Sequence, residues 1–250
     1  MMAQWIPSLT TPDLLWLVFA VFLSGIVRGF SGFGTALVYV PLAGLVLPPV
    51  WVVLTIIVFD LIGPLPLVPE SLRRARLGDL GMLSLGLLVG VPIGVVLLAA
   101  VDPTVFRWGT SVMALVLLVV LVSGWRYARY LSKPGVAGVG AVGGILGGLA
   151  GVPGPPVILL YMSGPGRAAE VRATVNLYLL SFDFIICVAF AVFGMLALEP
   201  IAIGVVLIAP YMLACWLGAK LFDPEKERTF RLVAYALIGL SALYGMPLHD

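Results

Sequence analysis

The sequence predicts an all-α polytopic membrane protein with eight hydrophobic segments, on three observations. Only 10% of its 250 residues are charged and 62% are hydrophobic, with a mean hydropathy of +1.16. A soluble domain carries about 25% charged residues, so the chain lacks the polar surface to cover a water-soluble globule. The apolar residues also fall in long runs. Trp51–Val68, Leu80–Ala100, Val105–Val122, Ala173–Leu198, Ile201–Phe222 and Leu232–Met246 reach, or nearly reach, the length needed to cross ~30 Å of hydrocarbon at ~1.5 Å per residue. Two further stretches, Leu14–Leu47 and Val136–Ser163, are too long for one straight span and are interrupted by glycine and proline.

The remaining composition narrows the function. Polar connections such as Glu70–Asp79 and Asp223–Arg231 are too short to form a soluble domain, so the work is expected in or at the lipid bilayer. The first 27 residues hold no Lys or Arg, and no cleavable signal peptide is expected. Cys187 and Cys215 lie inside apolar runs and read as small buried hydrophobes. The single histidine, His249, stands beside the C-terminal residue and leaves no intramembrane imidazole for a metal site or a general base. Neither a cofactor nor a nucleic-acid partner is expected. A buried serine hydrolase would point to Ser31, but Phe33 breaks the G-x-S-x-G pattern, so the chain is not expected to be an enzyme.

The two interrupted stretches carry most of the information. Gly29-Phe30-Ser31-Gly32-Phe33-Gly34 breaks the first, and Gly151-Val152-Pro153-Gly154-Pro155-Pro156 breaks the second. Glycine relaxes backbone sterics, and proline removes a donor and interrupts the helical ladder. Each stretch therefore reads as two half-helices around an unwound tip. The stretches also match one another. Gly25, Gly29 and Gly32 recur as Gly144, Gly148 and Gly151 at a shift of 119 residues. Phe59-Asp60 followed by Ile62 recurs as Phe182-Asp183 followed by Ile185, and Asp102-Pro103 as Asp223-Pro224, at shifts of 123 and 121. A single transmembrane domain, residues 1–250, is thus expected to consist of repeats 1–125 and 135–250, joined by the basic segment Trp125–Pro134.

The basic residues set the topology. If both interrupted stretches cross the membrane once, the Lys and Arg residues outside the apolar stretches divide 6 to 7 between the two sides. If both are re-entrant hairpins, Arg73, Arg74, Arg76, Arg126, Arg129, Lys133, Arg167, Arg172, Lys220, Lys226, Arg228 and Arg231 share one side and only Arg107 is opposite, a split of 12 to 1. The positive-inside rule selects the second arrangement. It has six full spans, two re-entrant broken-helix hairpins, both termini outside, and repeats of inverted orientation. Inverted-repeat secondary transporters share this plan and bind their cargo at discontinuous helices.

Individual residues then suggest roles. Arg28 is the only basic residue deep in an apolar stretch, where a guanidinium costs at least ~2.5 kcal/mol unless it pairs or faces a cavity. It reads as an anion-binding or gating residue, or as a partner for an intramembrane Asp. Half-helices starting near Phe33 and Pro155 present the positive ends of helix dipoles, which attract anions. The expected substrate-binding set is Arg28, Ser31, Gly32, Phe33, Gly34 and Thr35 at the first break, and Gly151, Val152, Pro153, Gly154 and Pro155 at the second. Asn176, on the helix that follows, completes it. Asp60 and Asp183 are repeat-related mid-span carboxylates, read as coupling residues for protons or a cation, or as ion-pair partners of Arg28. Gly86/Gly90/Gly94 and Gly140/Gly144/Gly148 have the small-xxx-small spacing of helix packing. Ser24, Thr55, Ser84 and Ser111 read as hydroxyls bonded to their own helix backbone.

At the two breaks the sequence resembles the TauE/SafE family of sulfite exporters, the toluene-sulfonate uptake permease family. The resemblance rests on Gly29-Phe30-Ser31-Gly32-Phe33-Gly34-Thr35-Ala36 followed by Pro41, and on Gly148-Leu149-Ala150-Gly151-Val152-Pro153-Gly154-Pro155-Pro156-Val157. One departure is Val152-Pro153-Gly154-Pro155, where a further glycine is common. What the resemblance implies is multi-pass residence in a bacterial cytoplasmic membrane and transport of a small sulfur-containing anion such as sulfite or an organosulfonate. The alternatives are an anion channel and an exporter of another small organic anion. The sequence is compatible with a homo-oligomer, and it gives neither the direction of transport nor the coupling ion.

Overall fold

The computed structural model describes residues 10–31, 33–62, 65, 68–123, 131–161, 168–221 and 227–248. Regular structure among them is helical. In chain order the helices are α1 (Thr11–Ser31), α2 (Thr35–Ala43), α3 (Pro49–Asp60), α4 (Val68–Arg74), α5 (Leu77–Ala100), α6 (Pro103–Ser123), α7 (Lys133–Ala150), α8 (Gly154–Tyr161), α9 (Ala168–Val192), α10 (Leu198–Leu221) and α11 (Glu227–Gly245). Polar residues mark several helix starts. Thr10 and Asp13 cap α1 reciprocally, the Thr10 N–H donating to Asp13 Oδ2 at 2.9 Å and the Asp13 N–H to Thr10 Oγ1 at 3.4 Å. Asp102 accepts the Thr104 N–H at 2.8 Å ahead of α6.

Among the described residues, six helices are long and apolar enough to cross a membrane: α1, α5, α6, α7, α9 and α10. The number matches the expectation, but the membership differs. The run beginning at Trp51 ends as helix α3 at Asp60, ahead of Gly63 and Pro64, and Thr229–Gly245 is also a shorter apolar helix. Conversely, α1 and α7 are themselves of spanning length. The breaks lie near their ends, so each interrupted stretch is a long helix followed by a short one, 21 then 9 residues and 18 then 8.

The chain divides into two compact units, each drawing on both halves of the sequence. The first comprises Met1–Phe59, Val101–Val122 and Leu198–Asp250. Within it α1 and α10 run parallel in near contact. A Cβ on Gly25 would stand 2.8 Å from that of Ala214, and one on Gly29 would collide with the Cys215 carbonyl and stand 2.9 Å from the Gly218 Cα. Helix α2 runs back along α1. The Trp16 indole N–H donates to the Leu42 carbonyl at 2.9 Å, and Gly34 lies beside Val27. Helices α6 and α11 are antiparallel: the Tyr235 hydroxyl donates to the Leu121 carbonyl at 3.4 Å, Gly239 faces Leu118, and Arg107 Nε donates to the Gly245 carbonyl at 3.4 Å. The starts of α1 and α6 and the ends of α2 and α11 therefore gather at one end of this unit. There the Trp16 and Tyr244 rings are 5.5 Å apart and Pro41 lies against Gly245.

The second unit comprises Asp60–Ala100 and Ser123–Ala197. Its centre is the parallel pair α5 and α7. A Cβ on Gly86 would strike the Ala137 carbonyl, one on Gly90 the Ala141 carbonyl, and one on Gly94 would lie 2.8 Å from the Gly148 Cα. From the other side, Gly140 faces Leu83 and Gly144 faces Val91. In lipid, helix association depends on such close backbone approach, because hydrocarbon provides no hydrophobic drive between helices. Helix α9 covers the pair with Tyr178 and Phe182 and is tied to α4 by Asn176 Nδ2 donating to Ser71 Oγ at 3.1 Å. Arg76 adds an N–H bond to Thr174 Oγ1 at 3.0 Å and an ion pair with Glu170 at 3.3 Å.

Gly90→Ala drives a methyl into the Ala141 backbone and is expected to cost about 1–3 kcal/mol. The readout is a lower thermal midpoint and a lower folded yield in detergent. Gly109→Ala, whose Cβ meets nothing within 4 Å, is expected to be neutral or slightly stabilising. Equal melting of the two variants would mean that α5 and α7 do not touch there.

Candidate functional site

The first break follows Arg28, which is half-buried in the last turn of α1. Gly32 and the Ser31 side chain lie outside the described residues. Phe33 is half-buried, and Gly34 adopts φ +97, a left-handed conformation that a residue bearing a Cβ enters only with strain. That turn starts α2 at Thr35. The first intrahelical bond runs from the Val38 N–H to the Gly34 carbonyl at 3.3 Å, so the N–H groups of Thr35, Ala36 and Leu37 have no acceptor within their own helix. The Thr35 hydroxyl is 2% exposed and lies 3.1 Å from the Tyr211 hydroxyl on α10. Deeper in the unit, Thr55 Oγ1 donates to the Val52 carbonyl at 2.9 Å, so the Tyr39 hydroxyl, 2.8 Å away, donates to Thr55. Phe59 packs edge-on to Tyr39 and tilted against Tyr211, with ring centres 4.9 Å apart in both pairs.

The second break is built differently. Gly151, at φ +69, closes α7 and donates its N–H to the Gly147 carbonyl at 2.7 Å. Val152 and Pro153 are buried and non-helical, and α8 starts at Gly154. Pro155 and Pro156 carry no N–H, so among the first three residues of α8 only Gly154 has a backbone donor. This tip shares the helix-dipole field expected of it but not the row of donors at the first tip. The Pro153 carbonyl accepts the buried Tyr178 hydroxyl at 3.2 Å. Gly143 makes room for that hydroxyl, since a Cβ there would collide with it. A Cβ on Gly154, by contrast, meets only ordinary contacts at 3.5 Å and beyond.

Asn176 and Asp183 lie seven residues apart on α9, two turns, and so share a face. The Asn176 amide is engaged by Ser71 of α4. Asp183 is 6% exposed and lines an open groove of about 620 Å³ with Leu61, Ser84, Leu180, Phe184, Ile185 and Cys187. Ser181, at its edge, donates to the Leu177 carbonyl at 2.8 Å. Asp60 is half-buried and is the last residue of α3. Ser24 donates to the Val21 carbonyl at 2.9 Å, as a helix hydroxyl is expected to. Ser111 Oγ departs from that expectation, being buried with no partner. Sequence reasoning missed Tyr39, Tyr178 and Tyr211, all at most 1% exposed. Their signal was their position. A tyrosine in the middle of an apolar run is far from the interfacial belt, and its hydroxyl must find a partner inside.

Among the described residues, six spanning-length apolar helices and two helix breaks define a multi-pass α-helical membrane protein. The chain belongs to the TauE/SafE family. The family description that matches, sulfite exporter TauE/SafE, covers residues 17–245, from the first turns of α1 to the end of α11. The chain is accordingly a membrane transporter of the sulfite-exporter type. No curated protein and no solved structure matches it.

Gly143→Ala is expected to lower thermal stability by displacing the Tyr178 hydroxyl, and Tyr178→Phe in the same chain is expected to restore most of the loss, because the colliding oxygen is gone. A double variant no more stable than Gly143→Ala alone would place the collision elsewhere.

Proposed function

We propose that this protein is a secondary transporter that carries a small sulfur-containing anion, such as sulfite or an organosulfonate, across a bacterial cytoplasmic membrane in exchange for, or together with, protons. The observation that carries the proposal is the pair of buried helix breaks in a chain of the sulfite-exporter family.

Both interrupted stretches are re-entrant hairpins in this reading, both termini face the periplasm, and the repeats are inverted. Two packing facts support it. Helix α2 returns along α1 to the level of Trp16. Helices α6 and α11 pack antiparallel, whereas single crossings of both stretches would make them run the same way through the membrane. The duplication has its own support. Repeat-related Gly29 and Gly148 make the same kind of contact, each 2.9 Å by a built Cβ from a glycine Cα, on Gly218 and on Gly94 respectively, in a parallel helix from the opposite half of the chain. Paired broken repeats suit alternating access better than a static pore.

The anion binds at the first tip. Arg28 supplies a fixed guanidinium, and Thr35, Ala36 and Leu37 supply a row of N–H donors at the positive end of α2. Ser31, Gly32, Phe33 and Gly34 belong to the proposed binding set, and the left-handed Gly34 leads directly into those donors. The second tip, Gly151 to Pro155, belongs to the proposed binding set with a single backbone donor in the first three residues of α8, and Asn176 lies on the helix that follows. Asp60 and Asp183 carry the coupling proton. Ionisable residues within membrane helices commonly mark ion and proton pathways.

The test is sulfite flux into proteoliposomes, with and without a pH gradient. Arg28→Ala is expected to raise KM roughly ten- to hundredfold, as the loss of a charge-assisted hydrogen bond would. At least one of Asp60→Asn and Asp183→Asn is expected to abolish pH-driven accumulation while exchange continues. If both Asn variants still accumulate sulfite, proton coupling through these residues is wrong. If Arg28→Ala keeps its KM, the arginine is structural.

A further inference from the structure

The first tip depends on a residue from the other half of the chain. Tyr211 of α10 is 1% exposed, and its hydroxyl lies 3.1 Å from that of Thr35, the first residue of α2 and the residue directly after the left-handed Gly34. Its ring packs on Phe59, which directly precedes Asp60. Its backbone carbonyl is so near α1 that a Cβ on Gly25 would stand 2.9 Å from it. One side chain thus touches the helix before the break, the helix after it, and the helix that ends at a proposed coupling carboxylate. Pro210 immediately precedes it and removes a helical hydrogen bond from α10, leaving the helix most easily bent at the point where Tyr211 is attached.

None of this is required for filling space. A phenylalanine would keep the ring contact with Phe59. The hydroxyl adds a contact that a phenylalanine could not make: it holds Thr35 and so bears on the direction of the N–H groups of α2's first turn. The other unit has a counterpart in Tyr178, whose hydroxyl holds the Pro153 carbonyl. That tyrosine comes from the same half as the break it holds, whereas Tyr211 reaches the first tip from across the repeat.

We propose that Tyr211 is the positioning residue of the anion site, acting through Thr35 and transmitting movement of α10 to the first tip. The proposal rests on the transport reading above. It is tested on full-length protein with Tyr211→Phe, Thr35→Val and the double variant, by sulfite flux in proteoliposomes and by hydrogen exchange of the amides of residues 35–37. Each single variant is expected to raise KM for sulfite roughly three- to tenfold, the size of one hydrogen bond, with Vmax held within about twofold. The double variant is expected to be no worse than either single one. Exchange at residues 35–37 should quicken by a similar factor. Quickened exchange with an unchanged KM would make Tyr211 merely structural and overturn the proposal, as would additive KM effects. If the wild-type protein moves no sulfur anion, the transport reading fails separately, and unaltered exchange at residues 35–37 then overturns the claim that Tyr211 holds the tip.

Discussion

A helix that breaks among buried apolar residues leaves N–H and C=O groups that must find partners within the protein, and that constraint governs both interrupted stretches. Irregular backbone at membrane depth survives only where protein or a water-filled cavity surrounds it. Both breaks meet this requirement by the same means. The long helix leading into each break is pressed onto a neighbour through glycines: α1 onto α10 through Gly25, Gly29 and Gly218, and α7 onto α5 through Gly144, Gly148, Gly90 and Gly94. Buried hydroxyls then complete the seal, Tyr211 at Thr35 and Tyr178 at Pro153. The glycines serve two separate purposes. Among the described residues of the breaks, Gly34 and Gly151 have positive φ, while the glycines in the long helices need the absence of a side chain.

Similar construction does not make the two tips equivalent. The first has Arg28, three backbone donors and a threonine hydroxyl; the second has two prolines where donors would be. In the proposed mechanism this asymmetry gives the first tip the task of holding charge. The carboxylates differ as well. Asp183 sits mid-helix on α9 beside an open groove, whereas Asp60 ends α3. A duplicated pair is under no physical requirement to keep equal roles, and the surroundings of these two have already diverged.

Much of the fold was legible because lipid simplifies the code. Span length, glycine spacing and the positions of the breaks are all one-dimensional signals, and Gly86/Gly90/Gly94 and Gly140/Gly144/Gly148 lie at helix contacts as their spacing suggested. What misled was run length. Trp51–Val68 is predominantly apolar by composition, yet helix α3 stops at Asp60, because mean hydropathy does not register where a helix ends. In the same way, the breaks were legible as breaks, but not that they fall at the ends of α1 and α7. The candidate site was legible where it depends on residue type, as at Arg28 and the glycines. It was not legible where it depends on partners from distant segments. Nothing local to Thr35 points to Tyr211, which is 176 residues away.

The most direct test of the hairpin topology on which the proposed mechanism depends is the sidedness of α1's start and α2's end. With Cys187 and Cys215 replaced by alanine, single cysteines at Thr10 and at Leu45 in the turn after α2 are probed on intact cells with a membrane-impermeant thiol reagent. A re-entrant α1–α2 hairpin requires both positions to label from the outside. Labelling of Thr10→Cys from outside and of Leu45→Cys only from the cytoplasmic side would mean that the first stretch crosses the membrane once, and would contradict the inverted arrangement.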